Sequence, residues 1–151
     1  MSTPPSTGPA EQPLRQRLAA LGKQIGDRES PHAESLEAAR ELALRLRRVV
    51  AEGLAGFHAA AAEAGVRHLV VELSEPRTDD KHLRSVEFDL QRGRHRAIIT
   101  VKSRGQVTLV GPFRQGKDEG PCQSFPFDAD EELEEGLAEF LERFLEEAAT
   151  P

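Results

Sequence analysis

Cys122 is the only cysteine of the 151-residue chain and the first residue whose chemistry needs an explanation. A thiol becomes a nucleophile when a histidine lies beside it and nearby donors can hold an oxyanion. Five histidines are scattered through the sequence without a characteristic spacing. Because free cysteines usually behave as small apolar residues, no catalytic residue is predicted. A small hydrolase that uses Cys122 is kept as an alternative.

His68 and His82 form a second candidate site because they flank an acidic loop, residues 74–81. Two imidazoles and nearby carboxylates bind a divalent metal when the fold brings them together. Their spacing follows no metal-ligand motif, so neither a metal nor another cofactor is predicted. A metal-dependent enzyme built on the His68/His82 loop is the matching alternative.

Arg92, Arg94 and Arg96 alternate along a predicted hairpin, and such a basic strand is a candidate for contacting nucleic-acid phosphates. The chain has a net charge of −6 and contains neither Trp nor Tyr to stack on bases. Nucleic acid is therefore the less favoured partner. Ion pairs within the chain are the simpler explanation of the three arginines.

The composition predicts a cytoplasmic protein from a bacterium. One cysteine cannot form an internal disulfide, and the first residues lack the basic and apolar segments of a secretion signal. No stretch approaches the roughly 20 apolar residues that span a bilayer, so no membrane partner is expected. The many Ala, Arg, Glu and Gly residues and the scarce Lys indicate a GC-rich bacterial gene.

Charge is unevenly distributed along the chain. Residues 67–117 carry a net charge of +5, and residues 118–151 carry −11. An asymmetry of this size describes surfaces and partners rather than the fold. It predicts either a basic sheet that faces an acidic helix or an acidic segment that meets a partner protein.

The N-terminal residues are predicted to lie outside the folded domain. Residues 1–11 have no apolar periodicity and are predicted to be a disordered tail. Residues 12–30 are predicted to form a short helix and a linker, with the break between residues 26 and 31. One apolar stripe on this helix comprises Leu14, Leu18, Leu21 and Ile25.

Residues 31–149 are predicted to form a single α+β domain bounded by two amphipathic helices. The first covers residues 31–64, and Gly65 is expected to end it in the left-handed conformation. The last helix is acidic, with Asp128 as its predicted N-cap and Glu131 three residues later.

Between the helices the sequence predicts four strands, and a fifth edge strand is allowed over residues 123–127. The four strands cover residues 67–73, 83–90, 95–102 and 106–112. A three-residue turn ending at Gly105 joins the last two strands and sets their register. The predicted pairs are Ile98–Val110, Ile99–Leu109, Thr100–Thr108 and Val101–Val107.

The preceding hairpin is predicted to turn at Arg92 and Gly93. This turn places Leu90 opposite His95, and Asp89 opposite Arg96 as a favourable charge pair. Further pairs in this predicted register are Phe88–Ala97 and Val86–Ile99.

These elements predict an α+β fold in which an antiparallel meander of four or five strands is packed on one face. A long N-terminal amphipathic helix and the acidic C-terminal helix cover that face. The opposite, outer face of the sheet is predicted to be a docking surface of apolar and hydroxyl side chains rimmed by charge. The alternative, that the N-terminal helix folds back and covers this face with its apolar stripe, is left open. Its predicted partner-binding residues are Ile98, Val110, Thr100, Thr108 and Arg96.

The predicted function is a non-enzymatic protein-binding module, an adaptor or a chaperone-like or immunity-like protein. Its partner is another protein or a second copy of the chain. In layout and charge the chain looks like secretion chaperones and toxin-immunity proteins, which are both protein-binding classes. That similarity implies no functional residue. The enzyme and nucleic-acid alternatives remain open.

Overall fold

The computed structural model describes residues 11–79, 84–116 and 120–150, and for residues 11 and 29–34 it describes the backbone alone. Helices and strands in this part of the chain form an α+β fold with an antiparallel sheet, which confirms the predicted class. The elements are α1 (Glu11–Glu63), β1 (Glu72–Leu73), β2 (Arg77–Asp79), β3 (Ser85–Arg92), β4 (His95–Lys102), β5 (Gln106–Arg114), β6 (Cys122–Pro126) and α2 (Asp130–Ala149).

The chain divides into two units, Met1–Glu34 and Ser35–Pro151. The described part of the first unit is helical and belongs to α1, and the predicted tail lies outside the described residues apart from Glu11. Helix α1 also includes residues 26–31, where the sequence predicts a break. Pro31 has no backbone N–H to donate, and α1 nevertheless continues through it.

The six strands found among the described residues belong to one sheet, in which the neighbours follow the order β1-β3-β4-β5-β6. Both β1 and β2 pair with the same edge of β3, at opposite ends of that strand. The predicted strand over residues 67–73 is reduced to β1. Residues 67 and 68 form a turn, and the Val71 N–H donates to His58 Nε2 of α1 at 3.0 Å instead of to a strand. Strand β2 is absent from the sequence-based prediction, and β6 is the predicted edge strand.

The predicted register of β4 with β5 is confirmed for all four pairs. The predicted register of β3 with β4 is wrong by two residues, since Arg92 pairs with His95 and Leu90 with Ala97. The turn is formed by residues 93 and 94, and Gly93 takes a φ of 58° at the first turn position, where two-residue hairpins accept glycine. Because the shift is even, every side chain keeps its predicted face.

Helices α1 and α2 pack on one face of the sheet and enclose the core. The sheet contributes Val86, Phe88, Leu90, Ala97, Ile99, Val101, Val107 and Leu109. The buried apolar residues of α1 are Ala39, Leu42, Ala43, Leu46, Val50 and Leu54. Those of α2 are Leu133, Leu137, Phe140, Phe144 and Ala148.

The C-terminal end of α1 agrees with the sequence-based prediction, whereas the N-terminal end of α2 does not. Gly65 has a φ of 92°, and the Val66 N–H donates to the Ala61 carbonyl at 2.8 Å, which confirms the glycine cap. The predicted N-cap at Asp128 is wrong: Ala129 occupies the cap position and no side chain caps the helix. Residues 127 and 128 form a turn instead, closed by the Ala129 N–H donating to the Pro126 carbonyl at 3.2 Å.

Gly136 allows α2 to approach β6. It is buried on α2, and a Cβ at this position would lie 2.3 Å from Cζ of the Phe125 ring. Gly56 of α1 differs, because a Cβ there would meet no heavy atom within 4 Å. The two helical glycines therefore have opposite expected responses to the same substitution.

Gly136→Ala is expected to lower the free energy of unfolding by about 1 kcal/mol, because displacing the Phe125 ring costs more than the helix propensity of alanine returns. Gly56→Ala is the matched control and should raise it by about 0.5–1 kcal/mol. Urea unfolding followed by circular dichroism measures both values. Stabilisation by both variants would contradict the packing of Phe125 against Gly136.

Candidate functional site

The five predicted partner-binding residues all lie on the outer face of the sheet, opposite the helices. Ile98 pairs with Val110 and Thr100 with Thr108 across the β4–β5 ladder. Ile98 and Val110 are half-buried, whereas both threonines are buried between their neighbours. The aliphatic side chains are therefore the more accessible members of this set.

Strand β6 extends the outer face into two rows of side chains. Cys122 pairs with Val110, so Ile98, Val110 and Cys122 form an apolar row across β4, β5 and β6. Ser124 pairs with Thr108, so Thr100, Thr108 and Ser124 form a parallel hydroxyl row. Neither Cys122 nor Ser124 was predicted to belong to the outer face, because their positions there depend on the non-local pairing of β5 with β6.

Each member of the hydroxyl row makes a side-chain hydrogen bond, to another member or to Glu87. Thr108 Oγ1 and Ser124 Oγ lie 3.0 Å apart, and Thr100 Oγ1 donates to Glu87 Oε2 at 3.4 Å. These bonds satisfy buried polar atoms, and they fix the side chains that border the apolar row.

Asp89 is the buried centre of an ionic network at one end of the apolar row. Arg77 Nη1 donates to Asp89 Oδ1 at 2.8 Å, and Arg77 Nε donates to Glu87 Oε1 at 2.9 Å. Arg96 Nη2 donates to Asp89 Oδ2. The predicted pairing of Asp89 with Arg96 thus occurs, although Asp89 lies directly opposite Ile98 and Arg96 opposite Gln91.

The network changes the ionisation of its two central members. Burial alone would raise the pKa of Asp89, but hydrogen bonds from Arg77, Ser74 and Arg96 outweigh burial and hold that pKa below its ordinary value. Burial alone would lower the pKa of Arg77, and its bonds to Asp89 and Glu87 reverse this and raise it. Both groups are therefore stabilised in their charged forms.

The three arginines of the predicted nucleic-acid strand do not line one surface. Arg92 Nη1 donates to the Ala148 carbonyl at the end of α2, where a cation stabilises the helix dipole. Arg94 is exposed at the hairpin turn, and Arg96 pairs with Asp89 on the outer face. Two of the three arginines are thus held by contacts within the chain.

Of the residues considered for catalysis or metal binding, the structure describes Cys122 and His68, which lie on different segments of the chain. Cys122 is exposed on β6, and His68 is exposed before β1. His82 lies outside the described residues. Within residues 11–79, 84–116 and 120–150, no group of three or more His, Cys, Asp or Glu side chains is placed to hold a metal ion.

A groove of about 600 Å³ runs between α1 and α2 in the second unit. Its apolar lining comprises Leu42, Leu46, Val49, Leu133, Leu137 and Leu141. Asp130 and Glu134 of α2 lie on its margin, as does Arg45 of α1. Val49 is 52% exposed within this lining. The pattern of the sequence does not reveal this groove, because its width depends on how the two helices pack.

Four of the seven exposed large apolar residues that the structure describes lie in the first unit. Leu14, Leu18, Leu21 and Ile25 are between 40% and 57% exposed. Their steps of four, three and four residues place all four on one side of the helix. This set is called the leucine stripe below. The predicted stripe is thus present on a helix, with its side chains open to solvent.

Comparisons with protein-family models, with curated proteins and with solved structures found no match to this chain. Among the residues that the structure describes, no helix has both the length and the apolar character needed to cross a bilayer. Inference about function therefore depends on the surfaces described above.

Proposed function

We propose that the chain is a non-enzymatic protein-binding module of the bacterial cytoplasm, in the manner of an adaptor, a chaperone or an immunity protein. The observation that carries this proposal is the leucine stripe. Four aliphatic side chains in register on one helix face, each at least 40% exposed, are the pattern of an interaction surface.

The energetics of helix packing support the same proposal. Most of the stability of a helix in a protein comes from packing its apolar face, and the leucine stripe of α1 is an apolar face that is exposed. Complete burial of one leucine side chain stabilises a folded protein or complex by about 1.5–3 kcal/mol. A partner that covers the leucine stripe would therefore stabilise this part of α1 and gain affinity from the same contacts.

The outer face of the sheet is a second surface that suits this function. Its apolar row, Ile98, Val110 and Cys122, is flanked by the hydroxyl row and by the Arg77–Asp89–Arg96 network. An apolar centre with a polar, hydrogen-bonded border resembles the arrangement of known protein interfaces.

Substitutions on the two surfaces test the proposal. The double variants Leu18→Asp/Leu21→Asp and Ile98→Asp/Val110→Asp are expected to fold and to lose binding to other proteins or to a second copy, because each puts two carboxylates into an apolar contact. Cross-linking in bacterial cytosol followed by mass spectrometry, together with light scattering of the pure chain, measures both kinds of binding.

Val70→Asp is the matched control, since Val70 is an exposed aliphatic residue outside both surfaces. It should leave the cross-linked partners and the mass unchanged. If Ile98→Asp/Val110→Asp alone leaves the cross-linked partners and the mass unchanged, the outer face is excluded as a binding surface. If both double variants behave like Val70→Asp, the protein-binding function is rejected.

A further inference from the structure

The leucine stripe and the groove between α1 and α2 have matching lengths. The stripe extends from Leu14 to Ile25, and the α1 wall of the groove from Leu42 to Gly53, so each spans eleven residue steps. At 1.5 Å per residue both are about 17 Å long. Gly53 has no side chain and nothing within 4 Å of its Cβ position, which leaves room for a third helix to approach.

The two surfaces also have complementary charge. Arg17 lies three residues after Leu14 and four before Leu21, and Arg28 lies three after Ile25, so both flank the stripe. The groove is bordered by Asp130 and Glu134 on its α2 side and by Arg45 on its α1 side, so acids outnumber bases among its lining residues. A basic helix with an apolar stripe is therefore the kind of occupant that this acidic, apolar groove would bind.

We infer that the groove of one copy receives residues 12–28 of a second copy, so that two chains form a reciprocal homodimer. This inference rests on the proposed protein-binding function and names the partner of its leucine stripe. A twofold arrangement uses the same contact twice, and it buries both stripes and both grooves. Each occupied groove then becomes a bundle of three helices.

A second copy of the groove is a better partner for the stripe than a second stripe is. A parallel coiled coil of two stripes would have only four core layers, which is short for a stable coiled coil. It would also place Arg28 of the two chains opposite each other in the next core layer, where like charges repel. The groove supplies two apolar walls, and it supplies the carboxylates of Asp130 and Glu134.

Light scattering and sedimentation of the full chain test the dimer. The wild type is expected at twice the chain mass in the micromolar range. Leu21→Asp in the stripe and Val49→Asp in the groove should each weaken dimerisation at least about 30-fold, as expected for a hot-spot residue. Ala20→Asp and Leu44→Asp are the matched controls, because both residues are exposed on α1 but outside the stripe and the groove.

Cross-linking tests which chain fills the groove. In a Cys122→Ser background, Leu21→Cys and Val49→Cys are introduced together and oxidised. A covalent dimer on a non-reducing gel supports the inference. A chain cross-linked only to itself would overturn it, because the stripe would then fill the groove of its own copy.

The remaining outcomes separate this inference from the proposed function. A monomeric wild type overturns the homodimer, and so does a dimer that survives both Leu21→Asp and Val49→Asp. Loss of the dimer in Leu21→Asp but not in Val49→Asp places the stripe elsewhere and also overturns the inference. If the chain is monomeric while Leu18→Asp/Leu21→Asp still abolishes binding of another protein, the proposed function stands without it.

Discussion

Phe88→Ala is expected to lower the free energy of unfolding by about 3–5 kcal/mol, the range for removing a buried aromatic ring. Phe88 is fully buried at the centre of β3, opposite Ile99 and beneath both helices. Removing its ring would leave a cavity that the surrounding sheet and helices cannot close. The chain has no Trp or Tyr, so urea unfolding followed by far-ultraviolet circular dichroism is the suitable measurement.

Phe57→Ala is the control for this variant, because Phe57 is only half-buried near the end of α1. Phe57→Ala should lower the free energy of unfolding by clearly less than Phe88→Ala does. A cost below about 1 kcal/mol for Phe88→Ala would contradict the assignment of Phe88 to the helix-covered face, since a surface substitution has effects of that size.

Asp89→Asn is expected to lower the free energy of unfolding by about 2 kcal/mol at neutral pH, the second-largest effect after Phe88→Ala. Breaking a buried ion pair costs roughly 3–5 kcal/mol, but the exposed portions of Arg77 and Arg96 reduce this value through solvent screening. Asp89 is only 5% exposed, so asparagine would leave two guanidinium groups beside a neutral side chain. Urea unfolding of both chains at neutral pH measures the difference.

The difference in unfolding free energy between the wild type and Asp89→Asn is expected to depend on pH. The pKa of Asp89 in the folded chain lies below its ordinary value of 3.8, so the unfolded chain binds the proton more tightly. The stability that Asp89 supplies is therefore complete above about pH 4 and is lost as the pH falls through the lowered pKa. The gap between wild type and Asp89→Asn should narrow below that pH.

Glu87→Gln provides the matched control, because Glu87 binds the same Arg77 but is more exposed than Asp89. Its cost should stay within about 1 kcal/mol, the range of exposed ion pairs. An equal loss in the two variants would show that burial of Asp89 does not determine the strength of the network.

The sequence predicted the sheet best where a turn left little choice of register. Gly105 takes a φ of 103° in the three-residue turn, and the four predicted β4–β5 pairs follow from that turn. In the preceding hairpin, Arg92, Gly93 and Arg94 allow more than one turn position, so alternation predicted the faces but not the pairs. Strand β2 escaped prediction because its three polar residues show no apolar alternation.

The outer-face residues were predictable for the same reason, while their surroundings were not. Ile98 and Val110 follow from alternation along two neighbouring strands. Cys122 joins their row only through the pairing of β5 with β6, and Arg77 reaches Asp89 only because β2 folds back on β3. Both are non-local contacts, which local periodicity does not encode.

The edge strands on the two sides of the sheet limit how it can pair with other sheets. On one side β1 and β2 occupy separate ends of β3 with only two and three residues, and on the other β6 is five residues long and ends at Pro126. Short margins and a proline without an N–H are poor templates for an added strand. Growth of the sheet into a fibril is therefore disfavoured at both sides, even when high concentration brings many copies together.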